Sequence, residues 1–238
     1  MTPKLVTITF SHYCEKARWA LDRVGVAFEE DGNLPMFAYT ATARYRARSV
    51  PILVDGSTVL RDSTDIIAWA DAHAPGALLA GPEANELEDY FDTQLGPHAR
   101  RWGYAQLVDN PAIIPHIVRD AKPWQARALR VFRPIAMAFI KRGIKISPAG
   151  VSRSQAKIEA VLDRVSGLLA DGRRYLVGDR FSTADLTFAA LAAPVILPDQ
   201  PAVPMPPREM FGSANAQIDR WRETPAGKHV LRMYRDER

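Results

Sequence analysis

Cysteine is nearly missing from this chain: among its 238 residues, only Cys14 carries a thiol. One cysteine rules out a disulfide within the chain and any metal site built from several thiolates. Long apolar runs are missing too, because the apolar run in the middle of the chain, Ile135–Ile140, is far shorter than the roughly 20 residues that span a bilayer. We therefore expect no metal cofactor and no integral membrane association.

A strong excess of one charge is also absent. Lys and Arg number 31 against 27 Asp and Glu, a net charge of +4, and both signs occur along the chain, so we expect no nucleic-acid partner. The hydrophobic share of 47% supplies a sizeable core for one large or two smaller domains. The first residues lack the pattern of a signal peptide, which predicts a cytoplasmic protein.

The first 76 residues alternate between strand and helix patterns. Val6, Ile8 and Phe10 alternate with threonines, which is typical of a strand over 4–10, and helical spacing follows over 15–24. A helix between two strands makes them parallel, whereas a hairpin is antiparallel. The further predicted elements are a strand at 27–31, an irregular helix at 35–48, a hairpin around Asp55-Gly56 and a helix at 63–73. This β-α-β-α-β-β-α order predicts a thioredoxin-like domain.

The pattern becomes almost entirely helical after residue 76. We predict an α/β thioredoxin-like domain over 1–76, a linker over 77–82 and an all-α helical bundle over 83–238. Six prolines between Pro194 and Pro207 predict a stiff connector between helices, with a polyproline ligand as the alternative. The predicted helices of the bundle cover 84–109, 112–121, 124–143, 152–171, 183–196 and 214–235.

The segment Ser11-His12-Tyr13-Cys14 joins the first strand to the first helix. Backbone N–H groups and the positive end of the helix dipole stabilise an anion, such as a thiolate, at this position. Ser11 and Cys14 take the places of the two thiols in a C-x-x-C redox motif, so one thiol is replaced by a hydroxyl; alternatively, Ser11 is a plain helix N-cap. Cys14 falls on the apolar helix face, which favours packing over redox chemistry. His12 is expected to be exposed and without a role, with a second hydrogen-bond donor or a source of pH dependence as the alternative.

Four short features in this order make the chain similar to the cytosolic glutathione transferase family, in its serine-type, bacterial-like form. They are the segment 11–14, Val50-Pro51 before the third strand, Asp62-Ser63 after the fourth, and Phe181–Asp185 in the helical part. The resemblance covers nearly the whole chain. It implies a glutathione-binding first domain, an electrophile pocket between the domains, and a homodimer.

The resemblance gives roles to several residues of the first domain. Ser11 would hydrogen-bond the sulfur of glutathione and favour its thiolate. A cis peptide at Val50-Pro51 would turn the Val50 backbone toward the cysteinyl group, and Asp62-Ser63 would bind the γ-glutamyl end. Ser63 is also predicted to cap the helix that follows. The glycine carboxylate would be bound by an arginine that spacing alone does not choose: Arg44, Arg46 or Arg48.

The electrophile pocket is expected to combine Tyr13 with side chains of the first long helix of the bundle. Aromatic and arginine side chains suit flat apolar electrophiles or their anions, although packing roles are an equal alternative. The basic stretch over 127–145 is interpreted as a solvated face, with an anionic ligand or a membrane surface as a lesser alternative. Ser182 and Asp185 form a predicted capping box, worth about 1 kcal/mol of stability. The predicted pocket residues on that first long helix are Tyr90, Arg101, Trp102 and Tyr104.

Together these features predict a glutathione transferase-like enzyme, with glutathione as co-substrate and a small hydrophobic electrophile as its partner. Lowering a thiol pKa from about 8.5 to about 6.5 raises the thiolate fraction at pH 7 from roughly 3% to roughly 75%. The same shift lowers intrinsic nucleophilicity nearly tenfold, so Ser11 alone gives a few-fold gain and positioning supplies the rest. The alternatives are a non-catalytic carrier of glutathione or hydrophobic ligands, and a thiol oxidoreductase using Cys14.

Overall fold

The computed structural model describes residues 2–199 and 205–238. In its N-terminal part, a four-stranded sheet has the order β2-β1-β3-β4. β1 pairs parallel with β2 and antiparallel with β3, and β3 pairs antiparallel with β4, which confirms the predicted thioredoxin-like arrangement. The elements are β1 (Lys4–Ile8), α1 (His12–Arg23), β2 (Glu29–Asn33), α2 (Pro35–Ala43), β3 (Ile52–Asp55), β4 (Thr58–Leu60) and α3 (Ser63–Asp71).

Local hydrogen bonds set the ends of these elements. The predicted first strand was too long, because the backbone N–H of Ser11 donates to the carbonyl of Ile8 at 3.0 Å and turns the chain into α1. The second strand lies two residues later than predicted, and α2 ends at Ala43, five residues before the predicted end at 48. The element order was therefore predictable, and the boundaries less so.

The rest of the described chain is helical, as predicted. Three predicted helices, 84–109, 124–143 and 214–235, are each split in two, and each second half has a proline in its first turn. Proline is tolerated in the first turn of a helix but breaks a helix interior. The helices are α4 (Pro82–Gln94), α5 (Gly96–Leu107), α6 (Ile113–Val118), α7 (Pro123–Val131), α8 (Arg133–Gly143), α9 (Pro148–Leu168), α10 (Thr183–Ile196), α11 (Asn215–Glu223) and α12 (Pro225–Asp236), with a 3-10 segment at Arg208–Ala214.

Helix α10 lies at the centre of a core that joins both parts of the chain. Nearly all of its side chains are buried, and α1 packs against it. Trp19 of α1 reaches between Phe181 and Tyr234, with ring centroids 5.7 and 4.9 Å apart. This packing fixes α1, and with it the segment 11–14, relative to the helical part. The domain boundaries near 76 and 83 stay predictions.

The predicted capping box at the start of α10 is confirmed, with both reciprocal bonds present. Asp185 is fully buried, and its carboxylate also accepts from the backbone N–H of Leu176 at 2.9 Å and lies 3.0 Å from Nε2 of His229. The cap therefore also ties α12 and the preceding loop to the core.

The predicted proline-rich connector begins later than expected, because Pro194 lies inside α10. Residues 200–204 of this connector lie outside the described part of the chain.

Among the helices that the structure describes, none combines the length and the apolar character needed to cross a membrane.

Candidate functional site

Ser11 stands where the backbone leaves β1 and enters α1. Its backbone is extended (φ −82°, ψ 126°), and its Oγ accepts from the backbone N–H of Cys14 at 3.4 Å, so it is the N-cap. No described residue accepts the hydroxyl proton of Ser11. The half-buried side chain lines a cavity of about 220 Å³, which we call the sulfur-site cavity. Ser11 is thus a cap that keeps a donor available to the cavity.

The peptide between Val50 and Pro51 is cis, as predicted, and Val50 lines the sulfur-site cavity. Of the three upstream arginines, Arg44 pairs with Asp31 at 3.0 Å and Arg46 lies on the exposed surface. Arg48 is exposed at the cavity wall and forms no hydrogen bond with a described residue. Of these three arginines, Arg48 is therefore the one that lines this cavity, and its contact with the glycine carboxylate stays a prediction.

The N-terminus of α3 differs from the prediction. The N-cap is Asp62, whose carboxylate accepts from the backbone N–H of Thr64 at 2.8 Å, and Ser63 is buried at the first helical position. The prediction of Ser63 as cap was wrong, because the extended residue before the helix is Asp62. Neither Asp62 nor Ser63 lines the sulfur-site cavity, and their binding of the γ-glutamyl end stays a prediction.

Cys14 is fully buried on the core side of α1. Burial raises the pKa of its thiol, more than the nearby Arg18 lowers it. A buried, protonated thiol is a poor nucleophile. The structure therefore supports packing and gives no route for a redox role of Cys14.

His12 is buried, and its predicted surface position is wrong. Its Nε2 lies 3.0 Å from the carbonyl oxygen of Gly96, at the start of α5. Burial, followed by the charge of Arg100, lowers the pKa of His12 to about 3, so the ring is neutral and donates to that carbonyl. Sequence reasoning missed this bond because it joins residues far apart in the chain.

Tyr13, which was predicted for the electrophile pocket, lines the sulfur-site cavity, and its hydroxyl donates to the carbonyl of Asp92 at 2.8 Å. Burial raises the pKa of this phenol above its ordinary value, so it stays neutral. A side chain at Gly96 would overlap the Tyr13 hydroxyl, which explains glycine there. Tyr13 therefore holds α1 against the break between α4 and α5.

On α5, Tyr104, which was predicted for the electrophile pocket, lines the sulfur-site cavity, and Arg100 joins it from one turn earlier. Residues four apart share a helix face, so Tyr104 and Arg100 point the same way. Arg100 was missed, although this spacing from Tyr104 was a signal that could have found it. The Nε of Arg100 is buried without a hydrogen-bond partner among the described residues.

The other predicted pocket residues point elsewhere. Arg101 donates to the carbonyl of Ile144 and to the hydroxyl of Ser154, both at 2.9 Å. Each residue along a helix is rotated by roughly 100° from the one before it. Arg101 and Trp102 are therefore rotated by roughly 100° and 200° from Arg100, and both side chains point away from the cavity. Trp102 instead packs edge-on against Trp221, with centroids 4.7 Å apart, and Tyr90 packs beneath the guanidinium of Arg164 at 4.0 Å.

A second cavity, of about 100 Å³, adjoins the sulfur-site cavity, with which it shares His12, Pro35, Tyr104 and Ile140. Its walls are mostly apolar, so it suits an uncharged hydrophobic group. The sequence did not reveal it because its walls come from both parts of the chain. They include Phe10, Leu34, Met36, Leu107, Val108, Ile113 and Met137.

Two family profiles match this chain. Residues 5–78 match the glutathione S-transferase N-terminal domain, and residues 148–223 match the glutathione S-transferase C-terminal domain. The chain belongs to the glutathione S-transferase family. The resemblance found in the sequence is thereby confirmed, and a search of curated proteins returned no significant match.

Several solved structures, two of them described as glutathione S-transferases, share this fold along nearly their whole length. One from Xanthobacter autotrophicus Py2 has a TM-score of 0.61 at 18% identity, covering 96% of this chain and 90% of its own. The β-etherase LigF from Sphingobium sp. SYK-6 has a TM-score of 0.62 at 19% identity, and the match covers 97% of this chain and 99% of LigF. A glutathione S-transferase from Methylobacterium radiotolerans, in complex with glutathione sulfonate, has a TM-score of 0.57 at 20% identity, and the match covers 97% of this chain and 95% of its own.

Proposed function

We propose that this glutathione S-transferase binds glutathione in the sulfur-site cavity, activates its thiol with Ser11, and transfers it to a small hydrophobic electrophile. One observation carries the proposal: Ser11, Val50 of the cis peptide and Arg48 line the same cavity. The Ser11 hydroxyl would donate to the thiolate and so lower the thiol pKa. The binding of glutathione sulfonate by a structural relative is compatible with it.

The electrophile would enter next to the sulfur, in the apolar second cavity. Both cavities share Tyr104, so a hydrophobic group placed in the second lies beside a thiolate in the first. Arg100, with its unpaired Nε, would stabilise negative charge that develops during the attack. A homodimer and a cytoplasmic location stay predictions.

Ser11→Ala tests the activation step. Without the hydroxyl, we expect the pKa seen in the pH profile of kcat/KM to rise by about two units, with a few-fold loss at pH 7. The measurement is conjugation of glutathione to a chromogenic electrophile across pH 5.5–9.5 (about four pH units, enough to bracket both values).

Two controls separate the alternatives. Cys14→Ala should leave that pH profile in place, since Cys14 is buried away from the cavity; loss of glutathione-dependent disulfide reduction in this variant would favour the oxidoreductase. Binding of glutathione with no conjugation of any electrophile by the native protein would favour the carrier. An unshifted profile in Ser11→Ala would refute the serine mechanism.

Arg48→Ala tests the carboxylate contact. Hydrogen bonds to charged groups contribute about 1.5–3 kcal/mol, and the lower value applies to Arg48 because it is exposed. We therefore expect the Kd for glutathione to rise about tenfold. Isothermal titration gives the value. Arg44→Ala is the matched control, because Arg44 already pairs with Asp31 and should leave the Kd nearly unchanged. Equal effects in both variants would show that Arg48 has no special role.

A further inference from the structure

An exposed apolar surface covers the outer side of α7 and α8, and we call it the α7–α8 face. Six large apolar side chains among the described residues are at least half exposed, and all of them belong to this face: Tyr39, Trp124, Val131, Phe132, Ile135 and Phe139. Scattered exposed apolar residues need no explanation, but a contiguous patch marks an interaction surface.

The exposed residues of α7 and α8 meet at Val131 and Phe132, which are neighbours in the chain, and aromatic contacts join both helices to α2. Trp124 of α7 packs edge-on against Phe37, with centroids 4.8 Å apart, and Phe139 of α8 packs edge-on against Tyr39, 6.0 Å apart. Along α8, Ile135 and Phe139 follow Phe132 at helical spacing, so all three point outward.

Positive charge is concentrated on the same helices. Residues 121–145 contain seven basic and no acidic residues, while the remainder of the chain holds 24 basic and 27 acidic residues, a net charge of −3. Within this segment, Lys122 and Lys141 pair with Asp31 and Asp109. Four further cations are exposed and form no ion pair with a described residue: Arg127, Arg130, Arg142 and Lys145.

The cations alternate with the apolar residues instead of forming a separate patch. Arg127 follows Trp124 by three residues and precedes Val131 by four, and Arg142 follows Phe139 by three. Helices that lie in the plane of a membrane interface have this composition, with aromatic side chains at the headgroup level and cations against anionic lipid. We propose that the α7–α8 face binds the surface of an anionic lipid bilayer.

Other occupants fit less well. A second copy of this face would bring two sets of unpaired cations together, and like charges repel. An acidic protein would match the charge but also needs a contour complementary to six protruding side chains, whereas lipid chains adapt to them. A bilayer satisfies the charge and the apolar residues together.

Binding in this orientation has a consequence for substrate access, and this consequence alone rests on the proposed function. Tyr39 and Phe139 belong to the face and also line the sulfur-site cavity. The mouth of the cavity would then meet the bilayer, where hydrophobic electrophiles concentrate. The substrate class would be apolar electrophiles that partition into membranes.

Sedimentation with lipid vesicles tests the proposal on the full chain. We expect the protein to bind vesicles of phosphatidylcholine mixed with phosphatidylglycerol, to bind pure phosphatidylcholine much more weakly, and to dissociate as salt is raised. Arg127→Gln with Arg130→Gln should weaken binding on the order of 30-fold, since each cation near an anionic surface contributes about fivefold. Arg153→Gln with Arg220→Gln, two exposed arginines elsewhere, is the matched control.

A second variant tests the apolar part. Phe132→Ser with Ile135→Ser should lose at least tenfold in vesicle binding while retaining its melting temperature, because both side chains are already more than half exposed. Absence of vesicle binding by the native protein, or equal binding by both arginine variants, would overturn the proposal. Sedimentation needs no glutathione, so its outcome is independent of conjugation activity.

Discussion

Replacing Lys16 with methionine is expected to lower the free energy of unfolding by about 3–5 kcal/mol, because it leaves buried carboxylates without their cation. Lys16 is fully buried, and its Nζ lies 2.7 Å from both Glu88 and Asp92. It also contacts the hydroxyl of Thr64 at 3.4 Å, so one ammonium joins α1, α3 and α4. Urea unfolding at pH 7 measures the loss.

The pH dependence separates this cause from lost packing. Burial already raises the pKa of Asp92, against the lowering effect of Lys16. Without Lys16, the carboxyl pKa rises further above its unfolded value, so the folded variant binds more protons and loses stability as pH increases. We therefore expect the loss in free energy of unfolding caused by Lys16→Met to be smaller at pH 5 than at pH 8.

Lys157→Met is the matched control, since Lys157 is exposed and donates only to Gln94. Its free energy of unfolding should change by no more than about 0.5 kcal/mol. Adding Glu88→Gln to Lys16→Met should recover part of the loss. A deficit that is constant with pH, or no recovery, would contradict the charge explanation.

Acid is expected to destabilise the native protein through His12. The folded-state pKa of about 3 lies well below the ordinary value of 6.5, chiefly because of burial. Between these values the unfolded chain binds a proton that the folded protein does not. The contribution of His12 to the free energy of unfolding is therefore at its full value above pH 6.5 and decreases as pH falls toward 3. The slope is about 1.4 kcal/mol per pH unit, or about 5 kcal/mol over the full range.

His12→Gln isolates this contribution, because the amide donates toward Gly96 but does not titrate in this range. Carboxylates also contribute to acid unfolding, so the informative quantity is the difference between native and variant stability, measured by urea unfolding from pH 7 to pH 4. We expect the variant curve to be flatter. His73→Gln, at an exposed histidine, should leave the curve unchanged. Parallel curves for His12→Gln and native protein would refute the assignment.

The parts of the site that follow from short sequence patterns were predictable. Ser11 at the end of a strand, the Val50-Pro51 pair and the Ser182/Asp185 spacing each depend on a few neighbouring residues, and the structure shows the cap, the cis peptide and the capping box there. Even here, local competition misled one prediction: Asp62 takes the cap that Ser63 was expected to form.

The parts that depend on helix rotation were not predictable. Treating 84–109 as one helix obscured the break near Gly96, and that break sets which side chains of α5 face the cavity. It brings Arg100 and Tyr104 to the cavity and turns Arg101 and Trp102 away. The burial of His12 has the same origin, because its partner is the carbonyl of Gly96.

The sequence by itself determined the order of elements, the family and the Ser11 hydroxyl that caps α1, because periodicity, caps and turns act over a few residues. Only the tertiary structure decided which of the three arginines lines the cavity, that the thiol of Cys14 is buried, and where the apolar pocket lies. Those depend on side chains from distant segments meeting in one place, and on the desolvation that follows. The same holds for the α7–α8 face, whose basic residues are visible in the sequence but whose six exposed apolar side chains are not.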